Sequence, residues 1–286
     1  MKRGINTKCL HLEDEEGCFD NYGSLSYPIY QTATYAHPAV GESTGYDYSR
    51  LQNPTREHLE KIVAALEDGI DAIALSSGMA AITLLMEIFK PGDHVIVDSD
   101  LYGGSIRLFS NVSEKNNITF SRVDCHKEKV EDYITENTKA IYIETPTNPM
   151  MNVTDIEAMA KIAHERGLLL IVDNTFMSPY FQNPLKLGAD IVIHSGTKYL
   201  GGHNDTLAGF LVTNREDVVE KLRFLIKTVG SGLAPFDCWL DQARNQDIGD
   251  PHGKKPGKCY QTGKLAEGTK DRGKSDLSGT ERTSGL

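Results

Sequence analysis

The spacing of apolar residues changes repeatedly along the chain. After the Asn53-Pro54-Thr55 turn, Leu59, Ile62, Val63 and Leu66 recur at helical intervals with charged residues between them, which predicts a helix. A short apolar run at 72–75 predicts a strand, broken by Ser76-Ser77-Gly78, and a helix follows over 79–89 until Pro91-Gly92. Further strands are predicted at 94–97, 118–123, 140–143, 168–172, 190–193 and 209–212, with helices at 105–112, 155–166 (closed by Gly167) and 217–226. The 168–172 run is apolar at every position, which suits a strand covered on both faces. Residues 1–50 hold no period and read as an irregular arm. Strands interleaved with helices predict an α/β fold, a mostly parallel sheet wrapped on both sides. Ligands of such sheets bind beyond the carboxyl ends of the strands.

Composition narrows this picture without redirecting it. The 286 residues carry 30 Lys+Arg against 40 Asp+Glu, and a net charge of −10 argues against nucleic acid or anionic lipid as main partners. No apolar run approaches the roughly 20 residues of a membrane span. The opening MKRGINTKCLHLEDEEG lacks the apolar stretch of a signal peptide, so the expected address is the cytoplasm. Five scattered cysteines without a CxxC do not make a disulfide framework or a zinc site. His194 and His203 lack ligand partners at metal-site spacing and read as packing or capping groups, and Cys238 reads as a small buried filler.

Four loops after predicted strands hold groups suited to chemistry. Ser76-Ser77-Gly78-Met79 opens a helix, where small residues and free N–H groups suit a phosphate. Asp173 ends the 168–172 strand and suits pairing with a cation. Lys198 follows the 190–193 strand beside Ser195 and Thr197, and suits a nucleophilic amine. Pro146 and Pro149 fix the loop that carries Asn148. Each has a plainer reading: a helix cap, a turn former, a solvent-exposed lysine, a rigid turn. Together with Tyr102, a flat ring on a fifth loop, they gather at one edge of one sheet. Pyridoxal 5'-phosphate needs these parts: a lysine for its aldehyde, an acid for its ring nitrogen, donors for its phosphate and a ring to stack on.

At these residues the chain resembles the Cys/Met-metabolism family of pyridoxal-phosphate (PLP) enzymes. The likeness runs from about Thr7 to Leu240 through YDYSRLQNPTR (46–56), SSGMAAI (76–82), SDLYGG (99–104), ETPTNP (144–149), VDNTF (172–176) and HSGTKYLGGHND (194–205). It implies a fold-type-I PLP-transferase architecture, with an arm at 1–50 that contacts a neighbouring subunit and a PLP-binding large domain at 51–240. Within that domain it implies that Lys198 carries the cofactor and shuttles protons, and that Asp173 holds the ring nitrogen protonated. Ser77, Gly78, Met79, Ser195 and Thr197 would cradle the phosphate. Tyr102 would stack on the ring, and Asn148 would bond its phenolic oxygen. Tyr48 and Arg50 would reach the phosphate of a neighbouring subunit, which implies a homo-oligomer, a dimer of dimers in relatives. The implied substrates are amino acids: an O-acylhomoserine with cysteine or sulfide in γ-replacement, or cystathionine in the γ- or β-lyase direction. Gly104 stands where methionine γ-lyases resemble one another in having a cysteine, which argues against that member, and GESTGYDYSR (41–50) with KYLGGHNDTLAGFLV (198–212) resembles bacterial cystathionine γ-synthases and acylhomoserine thiol-lyases, which favours γ-replacement.

The family pattern stops at APFDCWL (234–240). From 241 to 286 the chain holds eight glycines and nine Lys+Arg against seven Asp+Glu, with almost no periodic apolar residues, so a disordered tail is expected and the smaller C-terminal domain is missing. Its absence implies impaired turnover and keeps a catalytically dead cofactor-binding remnant as the alternative of another class. Back-translated and read one nucleotide later, the tail permits a segment beginning IRQGIKTLGIRM and reaching a YPG turn, which resembles the family's continuation. A single-nucleotide shift near Leu240 is therefore expected. Sequencing the coding DNA checks it: the shifted frame should continue the family pattern, and a shifted frame without that likeness would exclude the idea.

Overall fold

The computed structural model describes residues 23–245 apart from residue 25; the first part of the arm and the tail from 246 lie outside the described residues. A seven-stranded sheet forms the centre, in the order β1-β7-β6-β5-β4-β2-β3. Its strands are β1 (Asp71–Leu75), β2 (His94–Asp98), β3 (Thr119–Val123), β4 (Thr138–Glu144), β5 (Leu169–Asp173), β6 (Ile191–Ser195) and β7 (Gly209–Thr213). Six run the same way. Only β7 is reversed, antiparallel to both β1 and β6. The mostly parallel sheet predicted above is present, with all seven strand positions matched.

The helices are α1 (Pro54–Glu67), α2 (Gly78–Met86), α3 (Gly103–Asn111), α4 (Ile156–His164), the short α5 (Ser178–Phe181), α6 (Glu216–Val229) and α7 (Pro235–Asn245). Local chemistry starts and stops them. Asn53 caps α1 by accepting from the Thr55 and Arg56 N–H groups, with Pro54 at the first position, and Asp68 ends it in the left-handed region. Ser77 caps α2 by accepting from Ala80 N at 3.1 Å, and Asp155 caps α4 through Ala158 N. α3 begins two residues earlier than its apolar pattern does. The Ser105 and Ile106 N–H groups reach back to Tyr102 O, so Gly103 and Gly104 are wound into its first turn.

Each face of the sheet buries its own core. One packs Leu59 and Val63 of α1 and Ala163 of α4 on Ile143, Val172, Val192 and Phe210; Cys238 of α7 is buried there, as a filler would be. The other packs Leu84 and Leu85 of α2, Phe109 of α3 and Leu222 of α6 on Tyr142, Ile171, Ile193 and Leu211. This explains the unbroken apolar run of β5: both faces are covered. Arg223 of α6 ties the layers by a two-pronged pair with Asp71 (2.6 and 2.8 Å) and a bond to Glu60 of α1 at 2.7 Å.

Residues 23–53 contain no named strand or helix, only isolated bridges such as Thr34 with Tyr48, as the arm's lack of period implied. The change of pattern after Leu240 falls inside α7, which continues to Asn245 because Gln242, Ala243 and Arg244 are good helix formers. That continuation buries Asp241 completely, and neither carboxyl oxygen has a hydrogen-bond partner among the described residues. Burial, then the nearby Asp237 and Asp205, push its carboxyl up to about 7. A folded-state value above the ordinary 3.8 favours folding while the group is protonated, and that advantage is lost as pH rises from about 4 through 7. Asp241→Leu should therefore raise the melting temperature, by more at pH 8 than at pH 5. The full difference is up to roughly 4 kcal/mol, checked by thermal melts at both pH values.

Candidate active site

The carboxyl ends of β1, β4, β5 and β6 meet at one edge, and the reversed β7 begins there. Gly209 of β7 pairs with both Leu75 and Ser195. A Cβ on Gly209 would lie 2.0 Å from Ser77 O, so only glycine lets the Ser77-Gly78 turn cross the strand. A Cβ on Gly78 would lie 2.8 Å from that of Ser195, so the turn also rests against β6. The Ser77 hydroxyl is taken by the helix cap. The Gly78 and Met79 N–H groups make no hydrogen bond among the described residues, and α2 presents them with the positive end of its dipole beside Ser195. Thr197 is turned elsewhere: its hydroxyl accepts from Ala208 N at 3.2 Å and faces Ala208 O at 3.4 Å.

Asp173 ends β5 with 7 % of its surface exposed. Its Oδ1 accepts from Thr175 N at 3.0 Å and Oδ2 from the Tyr142 hydroxyl at 3.5 Å, and the Thr175 hydroxyl also bonds the carboxyl, which leaves it acceptor capacity to spare. Thr175 Oγ1 in turn accepts from Ser195 N at 2.8 Å. One side chain thus fixes the acid relative to the strand that carries the lysine loop. Burial raises the Asp173 carboxyl above the usual range, against the Thr175 bonds and the charge of His194.

Glu144, at the end of β4, accepts from Tyr102 N at 2.8 Å and from the Asn148 N–H. Burial and the neighbouring Asp173 push its carboxyl up to about 8. Tyr102 is 47 % exposed. Its ring lies over Gly104, where a Cβ would be 2.4 Å from Cε1 and 2.8 Å from the Met79 sulfur. Asn148 is exposed on its loop. Lys198 sits on the turn leaving β6, where its N–H bonds Ser195 O at 3.2 Å and its carbonyl accepts from Gly202. The side chain is exposed, and its ammonium has no ion pair among the described residues.

The structure therefore brings Ser77, Gly78, Met79, Tyr102, Asp173, Ser195 and Lys198 to one edge. Tyr48 and Arg50 are held elsewhere by their local contacts: Arg50 covers the Tyr48 ring and donates to Lys227 O at the end of α6. Sequence reasoning missed Glu144, Thr175 and Gly209. Glu144 was read as part of a rigid turn. Thr175 stands two residues after an acid, the spacing of an Asx turn. Gly209 was read only as the start of a strand. His194 is a buried packing group, as expected, bonded to Glu67 Oε1 at 2.6 Å. Among the described residues no three His, Cys, Asp or Glu are arranged to hold a metal, and no helix is long and apolar enough to cross a membrane.

A buried acid with a spare acceptor, unpaired backbone amides in a cradle that a Cβ would fill, and an exposed lysine on the turn after β6 fit a flat, phosphorylated, cationic ring. The class so defined is an α/β enzyme built around pyridoxal phosphate. The chain belongs to the Cys/Met metabolism PLP-dependent enzyme family, whose model matches residues 6–243. It is 54 % identical over 245 residues to a cystathionine γ-synthase/O-acetylhomoserine (thiol)-lyase of Bacillus subtilis (strain 168), covering 84 % of this chain and 64 % of the relative. It is 53 % identical over 219 residues to a cystathionine γ-lyase of the same organism, covering 76 % and 58 %. The crystal structure of a cystathionine γ-lyase from Lactobacillus plantarum complexed with L-serine superposes with a TM-score of 0.84 at 42 % identity, over 92 % of this chain and 69 % of that one. The chain thus spans about three fifths of the length of the two Bacillus relatives, 64 % and 58 %.

Gly209→Ala should displace the Ser77-Gly78 turn. The expected outcome is at least a tenfold loss of cofactor affinity with a fold destabilised by about 1–3 kcal/mol, measured by cofactor titration and thermal melt.

Proposed function

We propose that the protein is a PLP-dependent trans-sulfuration enzyme working in γ-replacement. In that reaction the Cγ–O bond of an O-acylhomoserine breaks and a Cγ–S bond forms to cysteine, giving cystathionine, or to sulfide, giving homocysteine. The acyl group leaves as a carboxylate. The observation that carries this reading is the placing of Lys198 on the turn after β6, with Asp173 and the Gly78 cradle at the same sheet edge.

When bound, the cofactor supplies an electron sink for charge developing at Cα and Cβ of the amino acid. This chain's residues do the rest. Gly78 and Met79 N–H groups, with Ser195, would hold the phosphate, whereas the Thr197 hydroxyl is engaged by Ala208. Asp173 keeps a proton on the ring nitrogen. Tyr102 covers the ring and takes the proton of the substrate ammonium. Asn148 bonds the phenolic oxygen. Lys198 Nζ moves protons at Cα and then Cβ, the two removals that γ-chemistry requires. Tyr48 and Arg50 serve the phosphate of a neighbouring copy, so the working form is a homo-oligomer.

The glycine at 104 supports replacement rather than methionine γ-lyase chemistry, because methionine γ-lyases resemble one another in having a cysteine there. The γ-lyase relative at 53 % identity supports a second reading, cleavage of cystathionine. Expressing this chain and a version with the downstream frame restored separates them. Both should show visible cofactor absorbance that Lys198→Ala removes. The restored version should form cystathionine from acylhomoserine and cysteine, and this chain should do so at least tenfold more slowly. Pyruvate or 2-oxobutyrate from cystathionine as the faster product would favour the lyase, and absorbance unaffected by Lys198→Ala would overturn the assignment.

A further inference from the structure

The mechanism leaves one buried titratable group without a task. Glu144 and Asp173 are register partners on neighbouring parallel strands, so both side chains project from the same face at the site's edge. They are 5 % and 7 % exposed. Two carboxyls placed side by side away from water cannot both be ionised cheaply, and the pair titrates as a unit. The groups around them supply little positive charge. Tyr142 of β4 lies beneath Asp173. Asp100, on the loop after β2, adds negative charge near Glu144. His194 of β6 acts on Asp173 from the opposite face of the sheet, where Glu67 of α1 already engages it. Lys198 makes no ion pair with either among the described residues. The neutral partners are the Tyr102 and Asn148 N–H groups on Glu144 and Thr175 on Asp173.

We propose that Glu144 and Asp173 share one proton until the cofactor arrives, that this proton is released to solvent as the cationic ring docks on Asp173, and that Glu144, then ionised, holds Tyr102 in place through its N–H. The step balances: a carboxyl O–H bond breaks, the proton passes to water, and a singly charged pair becomes two carboxylates beside the cation that the ring brings with it. The raised Glu144 and Asp173 carboxyls are consistent with one proton retained near neutral pH. Glu144 is thus a positioning residue: it acts through Asp173 on the ring nitrogen and through a backbone amide on the stacking tyrosine. The inference rests on the PLP reading above.

Calorimetric titration of the chain with pyridoxal phosphate, at pH 7 in two buffers of different ionisation enthalpy, counts the protons released. Glu144→Gln keeps an acceptor for Tyr102 but stores no proton. It should release about one proton fewer per cofactor bound than the unmodified chain. Glu144→Asp, which keeps a carboxyl, should return the count to that of the unmodified chain. Running the same pair of titrations in a Lys198→Ala background should give the same difference, because the source of the proton is not the lysine. Visible circular dichroism of the bound cofactor reports the stacking. Glu144→Gln should retain it and Glu144→Ala should lose at least half of it. Equal proton counts in the Gln variant and the unmodified chain, or an unchanged dichroism in the Ala variant, overturn the proposal while leaving the cofactor reading intact. Failure of the unmodified chain to bind the cofactor overturns both.

Discussion

The arrangement of the site depends on one close approach, the passage of the Ser77-Gly78 backbone over Gly209. Reversal of β7 makes it necessary. A strand running against its neighbours begins at the edge where they end, so its first residue lies beneath the turn leaving β1. Any Cβ there would occupy the position of the Ser77 carbonyl. With glycine, the turn lies flat enough for Gly78 to rest on Ser195, and the N-terminus of α2 points its unpaired amides along the edge. The rest follows by connection. Ser195 N–H bonds Thr175, Thr175 bonds Asp173, and the Lys198 turn springs from Ser195. An acid, a cradle and a lysine borne on different elements are thereby held at fixed separations without a direct contact among the three.

Polar networks stand on both faces of the sheet at this edge, and they are built differently. On the face opposite Asp173, Glu67 is fully buried yet satisfied: His194, Asn174 and Asn183 all reach its oxygens. Because Asn174 follows Asp173 and His194 precedes Ser195, that network fixes the backbone on which the site's side chains stand. On the site face, Glu144 and Asp173 accept only from neutral groups. A buried carboxyl that lacks a cation is costly when ionised. That deficit is what a cationic ring is suited to fill. The interior face is therefore structural and complete, whereas the site face is left short of one positive charge.

Much of this was legible in the sequence, for a physical reason. Strands covered on both faces must be apolar at every position, so β5 and β6 announce themselves. A polar residue directly after such a run must then lie at the sheet's edge, which is how Asp173, Ser77 and Lys198 were located. What stayed hidden was direction and register. Nothing in GFLV reveals that β7 runs backwards, so the need for glycine at 209 could not be read. Nothing in ETPTNP reveals that Glu144 falls opposite Asp173, because pairing between β4 and β5 is set by packing across some thirty residues of intervening chain. The contacts of Arg50 were equally invisible, since they join the arm to the distant end of α6.

The final turns of α7 show where sequence and fold stop agreeing. Among the described residues, the buried side-chain polar atoms without a hydrogen-bond partner are Thr154 Oγ1, Ser231 Oγ, both oxygens of Asp241, Gln242 Oε1 and Arg244 Nε. Four of these six atoms fall within four consecutive residues, 241–244, at the end of the stretch that the family model matches. The buried carboxylates of Glu67 and Glu60, by contrast, are met by His194 and by Arg223. Folds are specified by agreement between local sequence and tertiary surroundings, and a cluster of disagreements marks residues not matched to their place. Asp241 is the clearest instance. A Cβ on Gly201, in the turn that follows Lys198, would lie 3.0 Å from Asp241 Oδ1, so the unsatisfied carboxyl lies against that turn. The unsatisfied groups of α7 thus stand beside the turn that carries Lys198, whereas the Gly78 turn and Asp173 rest on β1, β5 and β7.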